Sequence, residues 1–300
     1  MLTGVDLGGT KIEAAVMTED GRMLACSRVP TPHGNYEATV SAIASLVHSV
    51  EEDAGGGGEI LGIGIPGSES PDNRLIRNSN STALNGRPLA SDLTAALNRP
   101  ILLANDANCL AMSESHDGAA AGARSCFAII LGTGVGGGVI MDGHLVSGVN
   151  GIAGEWGHTP LPWPDRQEDA GPKCWCGRMG CLETWLSGPA VESDWIQRGE
   201  HPLAATDIAT VHPESEVMLS WLDRLARATA VVINIMDPEV IVVGGGLNAI
   251  EDLYTEVPRL WPRWVFSDQI ETRLVPAAHG DSSGVRGASR LPLVTDCRTL

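Results

Sequence analysis

One histidine and three cysteines, His158, Cys174, Cys176 and Cys181, crowd into the stretch that ends at Glu183, and no other feature of the chain restricts its folding as tightly. Three thiolates and an imidazole complete the tetrahedral shell of a structural zinc site, whereas a hard cation would take oxygen ligands. The set leaves no coordination position open, so the expected zinc ion is a staple and not a catalyst. Gly177 and Gly180, inside Cys-Gly-Arg-Met-Gly-Cys, tolerate the positive φ that a short backbone needs to wrap around a metal. A disulfide is the competing use of the thiols. Cys174 and Cys176 are too close to pair comfortably, and seven cysteines is an odd number.

Three hundred residues exceed the size at which single cores usually stop growing, so two lobes around a cleft are expected. A formal net charge of −17 repels phosphate backbones and argues against nucleic acid as the main partner. An anionic ligand would need a cation or backbone amides to receive it. No basic start and apolar run precede the strand-like residues from Leu2 to Leu7, so no secretory signal is expected. The longest uncharged apolar run, Cys126 to Met141, is too short and too rich in glycine to span a bilayer. With unpaired cysteines, these readings point to the reducing cytoplasm and to no membrane partner.

The chain opens as strand, glycine turn, strand: Leu2 to Leu7, then Gly8-Gly9-Thr10-Lys11, then Ile12 to Met17, closed by an Asp20-Gly21 hairpin turn. Gly8 and Gly9 let backbone approach a phosphate, Thr10 offers a hydroxyl, and Asp6 ends the strand at the same place, where it could hold Mg²⁺ directly or through water. Plain turn chemistry would explain this motif if it stood alone. Phe127 to Leu131 leads into Gly132-Thr133-Gly134-Val135-Gly136-Gly137, which matches G-x-G-x-x-G. A dinucleotide fingerprint would open a helix there, and here a second strand follows, closed by Asp142-Gly143; no Gly-Lys-Ser/Thr makes it a Walker loop. The two hairpins form a weak internal repeat. Two lobes, each aiming such a turn at one cleft, would grip an oligophosphate from both sides.

Helical spacing runs from Asn35 to Ala54 and ends in Gly55 to Gly58, and Ile60 to Ile65 reads as a strand. Asn78, Asn80, Ser81 and Thr82 make a polar loop able to bond hydroxyls, or simply a solvated one. A strand from Ile101 to Ala104 delivers Asn105 and Asp106 at its carboxyl end, where open α/β sheets bind ligands. Asp106 is then either the cap of the following helix or a general base facing a hydroxyl, with Asn105 bonding a neighbouring hydroxyl. Beyond the cysteines, Trp221 to Met236 is an amphipathic helix, and Val240 to Val243 is a strand. Gly244, Gly245 and Gly246 offer a third glycine turn, for a flat nucleotide or for packing alone, and Trp261 and Trp264 read as core or interface aromatics.

These pieces, in this order, resemble the ROK family of bacterial sugar kinases along essentially the whole chain. The residues that carry the likeness are Asp6-Leu-Gly-Gly-Thr-Lys11, Asn105-Asp106, Leu131-Gly-Thr-Gly134, Gly154-Glu-Trp-Gly-His158, Cys174-x-Cys-Gly-x-x-Gly-Cys181-x-Glu183 and Val243-Gly-Gly-Gly246. The resemblance implies an α/β, two-lobed actin-like and hexokinase-like ATPase fold with duplicated ribonuclease H-like domains and a zinc-binding loop. The lobes would be residues 1–121, completed by 285–300, and residues 122–284. It implies transfer of the ATP γ-phosphate to the 6-hydroxyl of a hexose. Gly64 to Ser68, Asn78 to Thr82, Gly154 to Trp163 and His279 to Ala288 resemble fructokinases of the manno-fructokinase type, which makes D-fructose the expected acceptor and mannose a second one. N-acetylglucosamine kinases and glucokinases are the alternative. In this mapping Asp106 accepts the hydroxyl proton, and Asn80, Asn105, Glu155, His158 and Glu183 hold the sugar. Gly8, Gly9, Thr10, Lys11, Gly132, Thr133, Gly134 and the turn Gly244 to Gly246 hold ATP, with Mg²⁺ near Asp6. A homodimer is the family expectation. Sugar-sensing ROK regulators place a DNA-binding domain ahead of the kinase-like part, and with the first kinase strand at Leu2 that reading is disfavoured.

Overall fold

A computed structural model of the chain describes residues 1–294; the last part of the expected lobe completion, 295–300, lies outside the described residues. Strands β1 (Leu2–Leu7), β2 (Lys11–Met17) and β3 (Met23–Pro30) form the antiparallel meander that the glycine turns imply. Helix α1 (Tyr36–Ala54) follows, capped by the Asn35 side chain, and β4 (Leu61–Ile65) returns parallel to β1. A two-residue pair, β5 (Ser68–Glu69) and β6 (Ile76–Arg77), precedes α2 (Leu89–Leu97) and β7 (Ile101–Asn105), which lies parallel to β4. The first sheet therefore runs β3-β2-β1-β4-β7.

After α3 (Asp106–Asp117) the plan repeats. Strands β8 (Ser125–Leu131), β9 (Val135–Met141) and β10 (His144–Leu145) form a second meander. Helices α4 (Glu183–Leu186), α5 (Gly188–Gln197), α6 (Ala205–Val211) and α7 (Glu216–Met236) come next. The lobe then closes with β11 (Val240–Gly244), α8 (Asp252–Leu260) and β12 (Arg273–Pro276), in the order β10-β9-β8-β11-β12. Each sheet thus has three antiparallel strands followed by two parallel ones, and the hairpin repeat seen in the sequence extends to the whole sheet. Each sheet also has its own apolar core, one built on Val5, Ile12, Ile43 and Ile63, the other on Phe127, Trp221, Leu225 and Trp261. Trp261 is buried and bonds Thr229 Oγ1 at 2.9 Å, while Trp264 stacks on Trp163.

Two helices join the halves. Helix α3 leaves the first sheet and packs on β8 and β9, and α9 (Ser283–Val294) leaves the second and packs on β1 and β4; the two helices also pack on each other. Their contact includes a fully buried carboxylate. Glu114 of α3 accepts from the N–H groups of Ala119 (2.8 Å), Ala278 (2.8 Å) and His279 (3.2 Å) and from Ser283 Oγ (2.8 Å). One turn on, Asp117 accepts from His279 Nε2, Arg286 and Arg290, and the two guanidiniums hold its carboxyl below the usual range despite the opposing effect of burial. At Gly287 of α9 any side chain would overlap the Cys109 carbonyl, so helix-to-helix contact is made backbone to backbone.

The long excursion between β10 and α4 carries the cysteines, and it is pinned to α7 by Glu168. Its carboxylate meets Arg224 Nε at 2.8 Å and Arg227 Nη1 at 2.9 Å, and Arg227 also donates to the Pro162 and Trp163 carbonyls. Burial works against this charge, but the Arg227 and Arg224 hydrogen bonds win and draw the Glu168 carboxyl down to about 2. A carboxyl depressed on folding stabilises above its unfolded pKa and loses that stabilisation as pH falls toward the folded value. Glu168→Gln removes the buried anion between Arg224 and Arg227, which keep Asp194 and Asp223 as partners, so the loss stays below the about 3–5 kcal/mol of a fully unpaired buried charge. The expected outcome is a lower Tm at pH 7, with the gap to wild type closing as melts are repeated from pH 4.5 downward; a pH-independent gap would remove the ionic account.

Candidate active site

The cleft between the sheets opens at the carboxyl ends of β1, β4, β7, β8 and β11, with a volume of about 410 Å³. Asp6, Gly8, Gly9 and Lys11 line it from the first hairpin, Thr133 and Gly134 from the second, and Gly245 from the β11 turn. Asn80, Asn105, Asp106, Glu155, His158 and Glu183, the residues expected to hold the sugar, line it as well. Residues 120 or more positions apart in the chain therefore converge.

Asp106 sits at the first helical position of α3, and Asn105 is the cap: its Oδ1 accepts from Ala107 N–H at 2.9 Å, and its Nδ2 donates to the Gly67 carbonyl at 3.2 Å. The same Ala107 N–H also donates to Asp106 Oδ1 at 2.8 Å, so the two side chains share it. Asn105 orients the turn with its own amide, so its expected bond to a ligand hydroxyl has competition, and Asp106 keeps a carboxylate facing the cleft. Desolvation raises the Asp106 carboxyl to about 6; the Ala107 N–H opposes the shift and the Glu155 charge adds to it. Asp6 is raised further, to about 7, by burial first and then by the charges of Asp106 and Glu13. A side chain at Gly284, at the start of α9, would come within 2.6 Å of Asp6 Oδ2, so only a glycine there admits the carboxylate. A cation at Asp6 would offset both the burial and the repulsion, and a single carboxylate supplemented by water or phosphate oxygens suits Mg²⁺.

Glu155, whose carboxyl burial raises, sits beside His158 and Glu183. Glu183 ties three parts together: its Oε2 accepts from Val135 N–H of the second hairpin at 3.1 Å, and its Oε1 accepts from Trp175 Nε1 at 2.6 Å. Gly134 has no side chain because a Cβ there would stand 2.8 Å from Glu183 Oε2. Asn80 is presented by a loop that Asn85 clamps, its amide bonding both the N–H and the carbonyl of Ser79.

His158, Cys174, Cys176 and Cys181 bring four ligand atoms within 4.8 Å of one another. His158 Nδ1 lies 3.6 Å from Cys174 Sγ, and Cys176 Sγ lies 3.6 Å from Cys181 Sγ. That is far too long for a disulfide, and close to the edge of about 3.8 Å in a tetrahedron with Zn–S bonds of about 2.3 Å. The donor set fits zinc. With Nδ1 in the cluster, Nε2 is the nitrogen left for the cleft.

Some expected residues stand elsewhere. Gly244 is buried at the end of β11, where a Cβ would meet Leu110 at 2.8 Å, so its role is packing and only Gly245 of that turn lines the cleft. Thr10 lines a neighbouring hollow with Thr31, Ser81 and Thr82. Gly132 uses its N–H on the Gly134 carbonyl and its carbonyl on Gly188 N–H, which shapes the turn from behind. Trp175, Asp281 and Ser283 line the cleft without having been expected, and Asn78 joins them from the polar loop. Asp281, which pairs with Lys11 at 3.0 Å, lay in a quoted motif, His279 to Ala288, that local pattern could not attach to any site.

Comparison with known proteins matches the ROK family over residues 2–294. The chain is 40% identical to the N-acetyl-D-glucosamine kinase of Vibrio parahaemolyticus over 97% of its own length and 99% of the relative's. Among solved structures, the ROK hexokinase of Thermus thermophilus superposes with a TM-score of 0.84 at 32% identity, covering 96% of each chain. The ROK glucokinase of Streptomyces griseus, solved with glucose and AMPPNP, gives 0.80 at 28% identity, covering 97% of this chain and 98% of that one.

The four-donor cluster generates a direct test. Elemental analysis of the purified protein is expected to find one zinc ion per chain, and Cys181→Ser is expected to lose it together with several degrees of Tm. Metal-free wild-type protein of unchanged Tm would reduce the cluster to four neighbouring side chains.

Proposed function

The chain is a sugar kinase of the ROK family, and from that premise we propose that it transfers the γ-phosphate of ATP to the 6-hydroxyl of N-acetyl-D-glucosamine. The observation that carries the reaction is Asp106, a carboxylate at the cleft floor, raised to about 6 and set between glycine hairpins and a polar wall. The acceptor rests on the 40% identity to an N-acetyl-D-glucosamine kinase over nearly the full length of both chains. That replaces the sequence-based expectation of D-fructose, for which the comparisons offer no support; glucose, the ligand of the Streptomyces griseus enzyme, is the second candidate.

Asp106 accepts the proton of the attacking hydroxyl, which suits a carboxyl poised near the working pH. Asn80, Glu155, His158 through Nε2, and Glu183 hold the remaining hydroxyls, and Asn105 keeps Asp106 in place. The amides of Gly8, Gly9 and Gly134 and the Thr133 hydroxyl receive the phosphates, with Lys11 the cation nearest them and Gly245 beside the nucleotide. This arrangement answers the charge problem of an acidic chain that binds ATP, because backbone dipoles and one lysine do the work. Asp6 would hold Mg²⁺, which would supply charge neutralisation on the phosphates. His158, Cys174, Cys176 and Cys181 would hold zinc, which would fix the loop that carries His158 and Glu183. The lobes, 1–121 completed from residue 285 and 122–284, close over the sugar and exclude water, a nucleophile chemically similar to the acceptor. Assembly as a homodimer completes the reading.

Asp106→Asn is expected to lower kcat by about 10²–10⁴ while leaving sugar binding within a few-fold. In the wild type, kcat/KM should fall about tenfold per pH unit below about 6, because the base must be ionised and its carboxyl stands there. A coupled assay with N-acetyl-D-glucosamine, glucose, mannose and fructose tests the acceptor, and turnover of fructose alone would overturn it.

A further inference from the structure

Trp175 stands between two of the metal-cluster cysteines, and it is 56% exposed although indole is among the most apolar groups in the chain. Its position is nonetheless defined. The indole N–H donates to Glu183 Oε1 at 2.6 Å, and the ring meets the His158 imidazole edge to face, with centroids 5.1 Å apart at 85°. Both partners belong to the wall that faces the acceptor, and Trp175 itself lines the cleft. Its backbone is held on both sides by Cys174 and Cys176, and Cys174 N–H and Gly177 N–H close the turn on the Arg178 and Cys174 carbonyls. The exposed ring is therefore a fixed surface.

We propose that Trp175 is a sugar-contacting residue, the outer wall of the acceptor subsite, whose N–H also sets the Glu183 carboxylate in its accepting orientation. Geometry carries this reading. A hydroxyl that donates to Glu183 Oε1 at an ordinary hydrogen-bond length lies within about 5.3 Å of the indole nitrogen, which brings a pyranose bound there beside the ring. An aromatic face offers the carbon-bound hydrogens of a sugar an apolar partner, while the N–H stays on Glu183, whose carboxylate serves the polar edge. Glu183 in turn reaches Val135 N–H, so a sugar seated against Trp175 is tied through one carboxylate to the second phosphate hairpin. The inference rests on the sugar-kinase reading for its substrate class and adds a residue that the motif comparison did not assign.

The test combines kinetics with binding. Trp175→Ala is expected to raise the sugar KM about tenfold or more, with the ATP KM within twofold; Trp175→Phe, which keeps a ring and loses the N–H, should raise it about threefold. Zinc content is measured on both variants, and if the alanine variant loses the ion, the phenylalanine variant decides. Independently, N-acetyl-D-glucosamine added without ATP should change the tryptophan fluorescence of the wild type, and Trp175→Phe should lack that change. A zinc-replete Trp175→Ala with its sugar KM within twofold, or an undiminished fluorescence change in Trp175→Phe, overturns the proposal. If none of the four sugars is phosphorylated, the acceptor reading fails instead, and fluorescence titration with the same four sugars still decides whether Trp175 meets them.

Discussion

The buried carboxylate of Glu114 is the interaction on which the rest of the molecule leans. It is fully enclosed, and it survives there because three backbone N–H groups and a serine hydroxyl converge on it, enough donors to replace the water it loses. Those donors belong to the end of α3 and to the segment that enters α9. Glu114 therefore joins the helix that begins with Asp106 to the turn that sets Ser283 and Gly284 against Asp6. Asp117, with its two guanidiniums and His279, repeats the arrangement one turn later. The relative position of the two carboxylates that matter most, Asp6 and Asp106, is fixed by a third that never touches the cleft.

A second carboxylate organises the other side. Glu183 binds the second hairpin through Val135 and the cysteine loop through Trp175, and it lies on the cleft itself. The loop it belongs to is fixed twice, by the four-donor cluster and by Glu168 clamped between Arg224 and Arg227 of α7. Such pinning suits a wall that must present hydroxyl partners in one geometry, because discrimination between sugars differing by one or two polar groups depends on leaving the wrong one unpaired.

What could be read along the chain is what is decided locally. A glycine turn between two apolar runs is a hairpin whatever surrounds it, and both hairpins stand where the pattern puts them. Three cysteines in eight residues with a histidine nearby carry their chemistry in their identity, and the four side chains do converge. At Asn105 and Asp106 the pattern stopped short, since either side chain can cap a helix. The structure gives the cap to Asn105, and the helix thereby presents Asp106 to the cleft.

Tertiary structure alone decided the remainder. Gly244 reads like its neighbours in a glycine run, yet Leu110, more than a hundred residues away, turns it into a packing position. Trp175 carries no signal of its own until Glu183 and His158 are placed against it. His279 to Ala288 was visible as a motif but had no function until α3 supplied Glu114 and Asp117 as partners. By itself the sequence determined the hairpins, the four-donor cluster and the candidate base, because turn sterics and ligand chemistry act over a few residues. Which carboxylates share a cleft depended on two helices crossing between sheets, a long-range packing that no local pattern encodes.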